Sequence, residues 1–207
     1  MALKIAVLLS GSGTTLQNLI DRAEAGRLDV EFVCVIGSRA EAYGLERARK
    51  HNIPAIPIVR KDYESSAAFN TDIWSAVRDH GAELVVLAGF MSLLDIPPDF
   101  ENRVMNIHPA LIPAFCGKGM YGHHVHQAVI EYGVKVSGAT VHFANNEYDA
   151  GPIILQDVVP VLDDDTPELL AERVQEEERE LYPEAIRLFA EGRLEVNGRR
   201  VRIRESQ

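Results

Sequence analysis

Lys4-Ile5-Ala6-Val7-Leu8-Leu9-Ser10-Gly11-Ser12-Gly13-Thr14-Thr15 is the stretch that decides the fold class. From Lys4 to Leu9 the run is short and apolar, which marks a buried strand. A Ser/Gly cluster stops it. From Thr14 to Ala25 the period changes, with Leu16, Leu19, Ile20 and Ala23 on one helical face. A buried strand, a glycine turn and a helix make the first half of a βα repeat. The turn also carries chemistry. Glycines let the backbone approach an anion closely, and the helix start offers unpaired N–H groups in a favourable dipole. Gly11, Ser12, Gly13, Thr14 and Thr15 are therefore a candidate phosphate loop. A tight turn that binds nothing has the same pattern. Two sharper readings fail: Leu16 stands where a dinucleotide fingerprint needs its third glycine, and no Lys follows for a Walker A loop.

Working outward, Val30–Ile36, Ala55–Val59, Leu84–Ala88 and Arg103–Ile107 read as further strands. Helical patterns at Glu41–His51 and Ser65–His80 fall between them. Strands alternating with helices predict an α/β, Rossmann-like domain: a mostly parallel central sheet with helices on both faces. Ligands bind such folds at the C-terminal strand ends. The Ser10 loop, Gly89-Phe90-Met91 and Asn106–His108 are expected there. Pro109 to Gly122 reads as irregular loop and His123–Tyr132 as a helix. Val134–Phe143 and Ile153–Val161 read as an antiparallel strand pair. Thr166–Glu191 is a long amphipathic helix that Pro183 is expected to kink or divide. The basic run Arg199–Arg204 suits the outer face of a terminal strand. One domain, 1–207, is expected, with halves at 1–105 and 106–207.

The 207 residues carry a net charge of −10, with 46% hydrophobic residues. That acidity disfavours nucleic acid, which calls for a basic stripe. No apolar run is long enough for a membrane span, and the N-terminus lacks a signal-peptide pattern. The expected setting is the cytoplasm, which suits two widely separated cysteines, Cys34 and Cys116. His123-His124-Val125-His126 looks like a metal motif, but no nearby Cys or carboxylate completes a ligand set, so no metal is expected.

Asn106-Ile107-His108-Pro109 ends a strand, and alternation puts Asn106 and His108 on one side. Histidine titrates near neutrality and Asn can donate to a developing oxyanion. Asp149, before Gly151-Pro152, is a carboxylate that would raise the pKa of a nearby His108 and fix its ring. Each has a plainer reading: a strand-end His is often structural, and Asp before Gly-Pro is often turn chemistry. His142 alternates with Thr140 and reads as a support residue.

Taken together, these motifs are similar to those of the phosphoribosylglycinamide formyltransferase family. The resemblance rests on Val7–Leu16, Gly44-Leu45-Glu46-Arg47-Ala48, Val85–Met91, Asn106-Ile107-His108-Pro109 with Leu111 and Pro113, and Gly138–Pro152 with Leu155-Gln156. It implies a formyltransferase fold and transfer of a formyl group from the co-substrate 10-formyltetrahydrofolate to the amine of 5-phosphoribosylglycinamide in purine synthesis. It implies Asn106, His108 and Asp149 as catalytic residues, with protonated His108 and Asn106 on the oxyanion and Asp149 holding His108 charged. It implies phosphate binding at Gly11–Thr15, and folate contacts at Met91, Ser92, Leu93, Leu94 and Asn106. Partners would be these small molecules, with the chain a monomer or homodimer. The sequence departs from the family at Thr15, Ser66, Ser92 and Asn146, and in a longer Phe115–Gly122 loop. Methionyl-tRNA formyltransferase normally adds a C-terminal RNA-binding domain, and formyltetrahydrofolate hydrolase an N-terminal regulatory one; neither is expected here. From another class, a non-catalytic folate or nucleotide-binding module is the remaining alternative.

Overall fold

The computed structural model describes residues 1–205; the last two positions of the expected 1–207 span lie outside the described residues. The chain forms two compact units, Met1–Met105 and a second beginning at Asn106.

In the first unit, β1 (Leu3–Leu9), β2 (Val30–Gly37), β3 (Ala55–Pro57) and β4 (Leu84–Leu87) form a parallel sheet in the order β3-β2-β1-β4. Helices α1 (Thr14–Glu24), α2 (Tyr43–Lys50) and α3 (Ser66–Asp79) connect them. The chain runs outward from β1 to β3, then returns to place β4 on the other side of β1. With right-handed crossovers, that reversal sends α1 and α2 to one face and α3 to the other. The chain leaving β1 turns toward β2 while β4 lies on its other side, which makes the paired C-terminal ends of β1 and β4 a switch point, where open α/β sheets bind ligands. Ile5–Leu9 and Leu84–Val86 are buried on both faces, so neither strand alternates. Cys34 is a core strand residue, as its apolar neighbours predict, and burial pushes its thiol up to about 12. Strand β5 (Val104–His108) begins at the end of this unit, and His108 is its last residue.

The second unit holds α4 (His123–Tyr132), β6 (Val136–Phe143), β7 (Ile153–Pro160), α5 (Pro167–Ala190), β8 (Leu194–Asn197) and β9 (Arg200–Ile203). β6 and β7 pair antiparallel, as their patterns predict. One expectation changes: Pro183 does not divide the long helix. Helix α5 runs unbroken from Pro167 to Ala190 with Pro183 inside it and buried. Its apolar face, which includes Leu170, Val174, Leu181, Tyr182 and Ile186, is buried, and this packing outweighs one lost backbone bond. The C-terminal basic run forms a terminal strand, as expected, and is one half of a hairpin. β8 pairs antiparallel with β9 across Gly198, and β9 runs parallel to β7 at Ile153 and Arg200. β8 is only four residues long, so its Leu-Glu-Val-Asn alternation is too short to mark a strand by itself. Among the described residues no helix is long and apolar enough to cross a membrane.

Candidate active site

β5 and the turn before β7 assemble a cluster of polar side chains in the second unit. Asn106 and His108 lie two residues apart on β5, so one side of the strand presents both. Both meet Asp149. Asn106 Nδ2 is 3.4 Å from Asp149 Oδ1, and His108 Nδ1 is 3.6 Å from Oδ2. His108 is 3% exposed, and its Nε2–H donates to the Phe115 carbonyl at 2.8 Å. The Gly117 N–H donates to Asp149 Oδ2 at 2.9 Å. Residues 115–117 of the long loop therefore touch both the imidazole and the carboxylate.

His142, read from sequence only as support, belongs to this cluster. Its Nδ1 donates to the Phe143 carbonyl at 2.9 Å, leaving Nε2 to accept from Asn106 Nδ2 at 3.2 Å. That contact fixes the Asn106 amide and keeps its second N–H near Asp149. Behind it, Thr140 Oγ donates to the Ala110 carbonyl at 2.6 Å. The same oxygen takes the Ile112 N–H at 3.1 Å, and Gln156 Nε2 lies 3.0 Å from both Thr140 Oγ and the Ile112 carbonyl. The segment leaving His108 is thus tied down residue by residue to β6 and β7.

Burial and neighbouring groups shift the pKa values of the cluster in opposing ways. Burial disfavours the Asp149 charge, but His142, His108 and the Gly117 N–H outweigh it and hold the carboxyl below the usual range. Asp149 raises the pKa of His108, as expected, but the net direction is down. Burial lowers its pKa more than Asp149 and the Phe115 carbonyl raise it, and His142 lowers it further. The net shift favours the neutral imidazole beside the Asp149 carboxylate. His126 on α4 shares the burial. It is 3% exposed, its Nδ1 has no hydrogen-bond partner among the described residues, and burial pushes its pKa down to about 4. Glu178 on α5 goes the other way: its half-buried carboxyl is pushed up to about 7 by burial.

Asp149 adopts a left-handed backbone, φ 51°. A Cβ on Gly151 would meet the Phe143 carbonyl at 1.7 Å, so only glycine fits two residues on. Arg199, in the β8–β9 turn, donates to the Ala150 carbonyl at 2.8 Å and pins the residue after Asp149. The sequence offered no signal for this contact, because it spans 49 positions.

In the first unit the candidate phosphate loop follows β1. Gly13 has φ +72°, and a Cβ there would meet Gly44 Cα at 2.6 Å. Ser10 Oγ shares a 2.6 Å hydrogen bond with Ser38 Oγ and accepts the Met91 N–H at 2.9 Å. Asp95 is anchored to α3, its N–H donating to Asn70 Oδ1 and its carbonyl accepting from Trp74 Nε1. Met91–Leu94 is thus held at both ends while Met91 and Leu93 stay about 40% exposed. Leu94 turns inward and is buried, and Ser92 is half-buried. At Ser66, where the family commonly has a basic residue nearby, Arg60 Nη2 donates to Ser66 Oγ at 3.0 Å. Lys118 is exposed. Among the described residues no group of three or more His, Cys, Asp or Glu is arranged to hold a metal ion.

Comparison with known proteins fits this geometry. The family described as Formyl transferase matches residues 3–186. Phosphoribosylglycinamide formyltransferase of Haemophilus influenzae is 39% identical over 93% of this chain and 90% of its own length. The Escherichia coli protein of that name is 35% identical over 94% of this chain and 91% of its own. The crystal structure of glycinamide ribonucleotide transformylase 1 from Symbiobacterium toebii superposes with a TM-score of 0.92 and 48% identity, covering 99% of this chain and 95% of that one. Sequence and fold together place this chain in the formyl transferase family, among its phosphoribosylglycinamide formyltransferases.

Proposed function

We propose that Asn106, His108 and Asp149 carry the transfer of a formyl group from 10-formyltetrahydrofolate to the amine of 5-phosphoribosylglycinamide. The observation that supports this most is their convergence: two polar side chains from one strand face reach the two oxygens of one buried carboxylate.

The steps follow from the electrostatics. The substrate amine attacks the formyl carbon, and the carbonyl electron pair moves onto oxygen. The second Asn106 N–H, held only by a 3.4 Å contact to Asp149, turns to that oxyanion. The new ammonium loses a proton to the ionised Asp149, directly or through water. Negative charge beside His108 then offsets the burial that kept it neutral, and Nδ1 takes up the proton across the 3.6 Å gap. When the bond from carbon to the folate N10 breaks, its electron pair stays on N10, which receives the imidazolium proton. His108 therefore works as a relay that is charged only while the oxyanion exists.

The loop Gly11–Thr15 takes the substrate phosphate, and Met91–Leu94 with Asn106 borders the folate. The two units act as halves of one formyltransferase domain. The partners are these small molecules alone, without nucleic acid, membrane or metal, in a cytoplasmic monomer or homodimer.

The test offers 10-formyltetrahydrofolate with 5-phosphoribosylglycinamide, with water alone, and with charged tRNA. Folate release that depends on 5-phosphoribosylglycinamide is the expected result. Release with water alone at the same rate would replace transfer by hydrolysis.

A further inference from the structure

A phosphate loop works only if its peptide N–H groups point outward, and in this chain α2 sets that direction. Each trans peptide carries its C=O and the following N–H on opposite sides. The Gly11 carbonyl accepts the Gly44 N–H at 3.1 Å, and the Ser12 carbonyl accepts from Arg47 Nε at 2.9 Å. Two successive carbonyls are thus drawn back toward α2, which turns the N–H groups of Ser12 and Gly13 away from it. The approach this requires is close. A Cβ on Gly44 would meet the Leu9 side chain at 2.3 Å, and one on Gly13 would meet Gly44 Cα at 2.6 Å. Both positions therefore need glycine.

Arg47 is held for this task on several sides. Its Nη1 donates to Gln17 Oε1 at 3.0 Å, and its guanidinium carbon lies 5.1 Å from the centre of the Tyr43 ring. Gln17 is itself bonded to Asp21 and His51. A rigid fork, not a flexible ammonium, can hold a carbonyl and a side-chain oxygen together.

We propose that Arg47 is a positioning residue for the phosphate of the acceptor substrate, acting through the Ser12 peptide. This rests on the reading of Gly11–Thr15 as the phosphate loop. Arg47 fixes the Gly13 N–H on the anion before substrate arrives, so its contribution lies in affinity for the phosphorylated acceptor. The formyl donor and the chemical step do not depend on it.

The experiment compares Arg47→Ala and Arg47→Lys with the wild type. The measurements are KM for 5-phosphoribosylglycinamide, KM for 10-formyltetrahydrofolate, kcat, and competition by inorganic phosphate. Arg47→Ala is expected to raise the acceptor KM and the phosphate inhibition constant together, by roughly 10-fold, the value of one charge-assisted hydrogen bond. Folate KM and kcat stay within about twofold on the same scale. Arg47→Lys stays close to Arg47→Ala, because the charge returns without the fork. If phosphate competes in the wild type but Arg47→Ala leaves its inhibition constant unchanged, the assignment of Arg47 is overturned and the loop reading stands. If phosphate does not compete in the wild type, the loop reading falls and takes this assignment with it. Full recovery by Arg47→Lys overturns the orienting role in favour of charge alone.

Discussion

The glycine loop of the first unit and the Asn106–His108–Asp149 cluster of the second are built from opposite materials. The loop presents backbone N–H groups, and its side chains matter mainly by being absent, as at Gly13 and Gly44. The cluster consists of side chains drawn from positions 106, 108, 142 and 149, tuned by burial. A backbone site is a matter of affinity for an anion of fixed shape. A side-chain site can move protons, because its groups titrate. Damage to the cluster should therefore lower kcat, while damage to the loop should raise KM for the phosphorylated acceptor.

His108→Ala is the hardest test of that division. Turnover should fall by about 10³-fold, since the proton relay to N10 is lost. KM for both substrates and the far-UV circular dichroism should stay near wild type. An active, folded His108→Ala protein would sink the relay.

Asp149→Asn should cost roughly 10²-fold in kcat. It also probes the sign of the His108 shift. The free enzyme needs neutral His108 and ionised Asp149, and both pKa values are lowered, so the acid limb of kcat/KM should lie below the ordinary histidine value of about 6.5. Asp149 raises the pKa of His108, so its removal should move that limb still lower. A limb moving upward would restore the charged-histidine mechanism.

His126 tests whether burial governs these imidazoles. Its folded pKa of about 4 lies below the unfolded value, so the stability tied to its neutral form is present above 6.5 and lost as pH falls. His126→Leu should gain about 2 kcal/mol over wild type at pH 5 relative to pH 8 in urea titrations. Equal differences at both pH values would mean that His126 has found a partner.

In the loop, Gly13→Ala must adopt φ +72° and displace Gly44, at about 1–3 kcal/mol. The acceptor KM should rise about 10-fold with kcat spared. A fall in kcat at unchanged KM would erase the contrast between the two regions.

Arg199→Ala is the mildest change. Loss of the hydrogen bond to Ala150 should lower kcat about 3-fold, leave KM alone and be partly rescued by Lys. An unchanged kcat would show that Asp149 keeps its position without the C-terminal hairpin.

Much of this was legible in the chain. Lys4–Leu9 followed by Ser10–Thr15 named a βα repeat, because strand burial, glycine turns and helical period are local properties. The Asn106–His108 spacing set two polar groups on one face for the same reason. Thr166-Pro167-Glu168 marked the start of α5, where Thr166 Oγ accepts the Leu169 N–H at 3.3 Å. Other features stayed hidden because they depend on distant residues. His142 read as support until β6 brought it 3.2 Å from Asn106. Arg47, Arg199 and Ser10 read as ordinary residues until the fold placed a carbonyl or an amide beside each. Pro183 looked like a break because its local cost is visible in sequence and the packing that outweighs it is not.

By itself, then, the sequence determined the alternation of strands and helices, the glycine turn between β1 and α1, and the polar trio that the fold brings together. Only the tertiary structure decided which oxygen of Asp149 each partner faces and the direction in which the His108 pKa moves. The reason is physical: a carboxylate nearby predicts a charged histidine, but burial acts on the same ring, and only packing shows that burial is the larger effect.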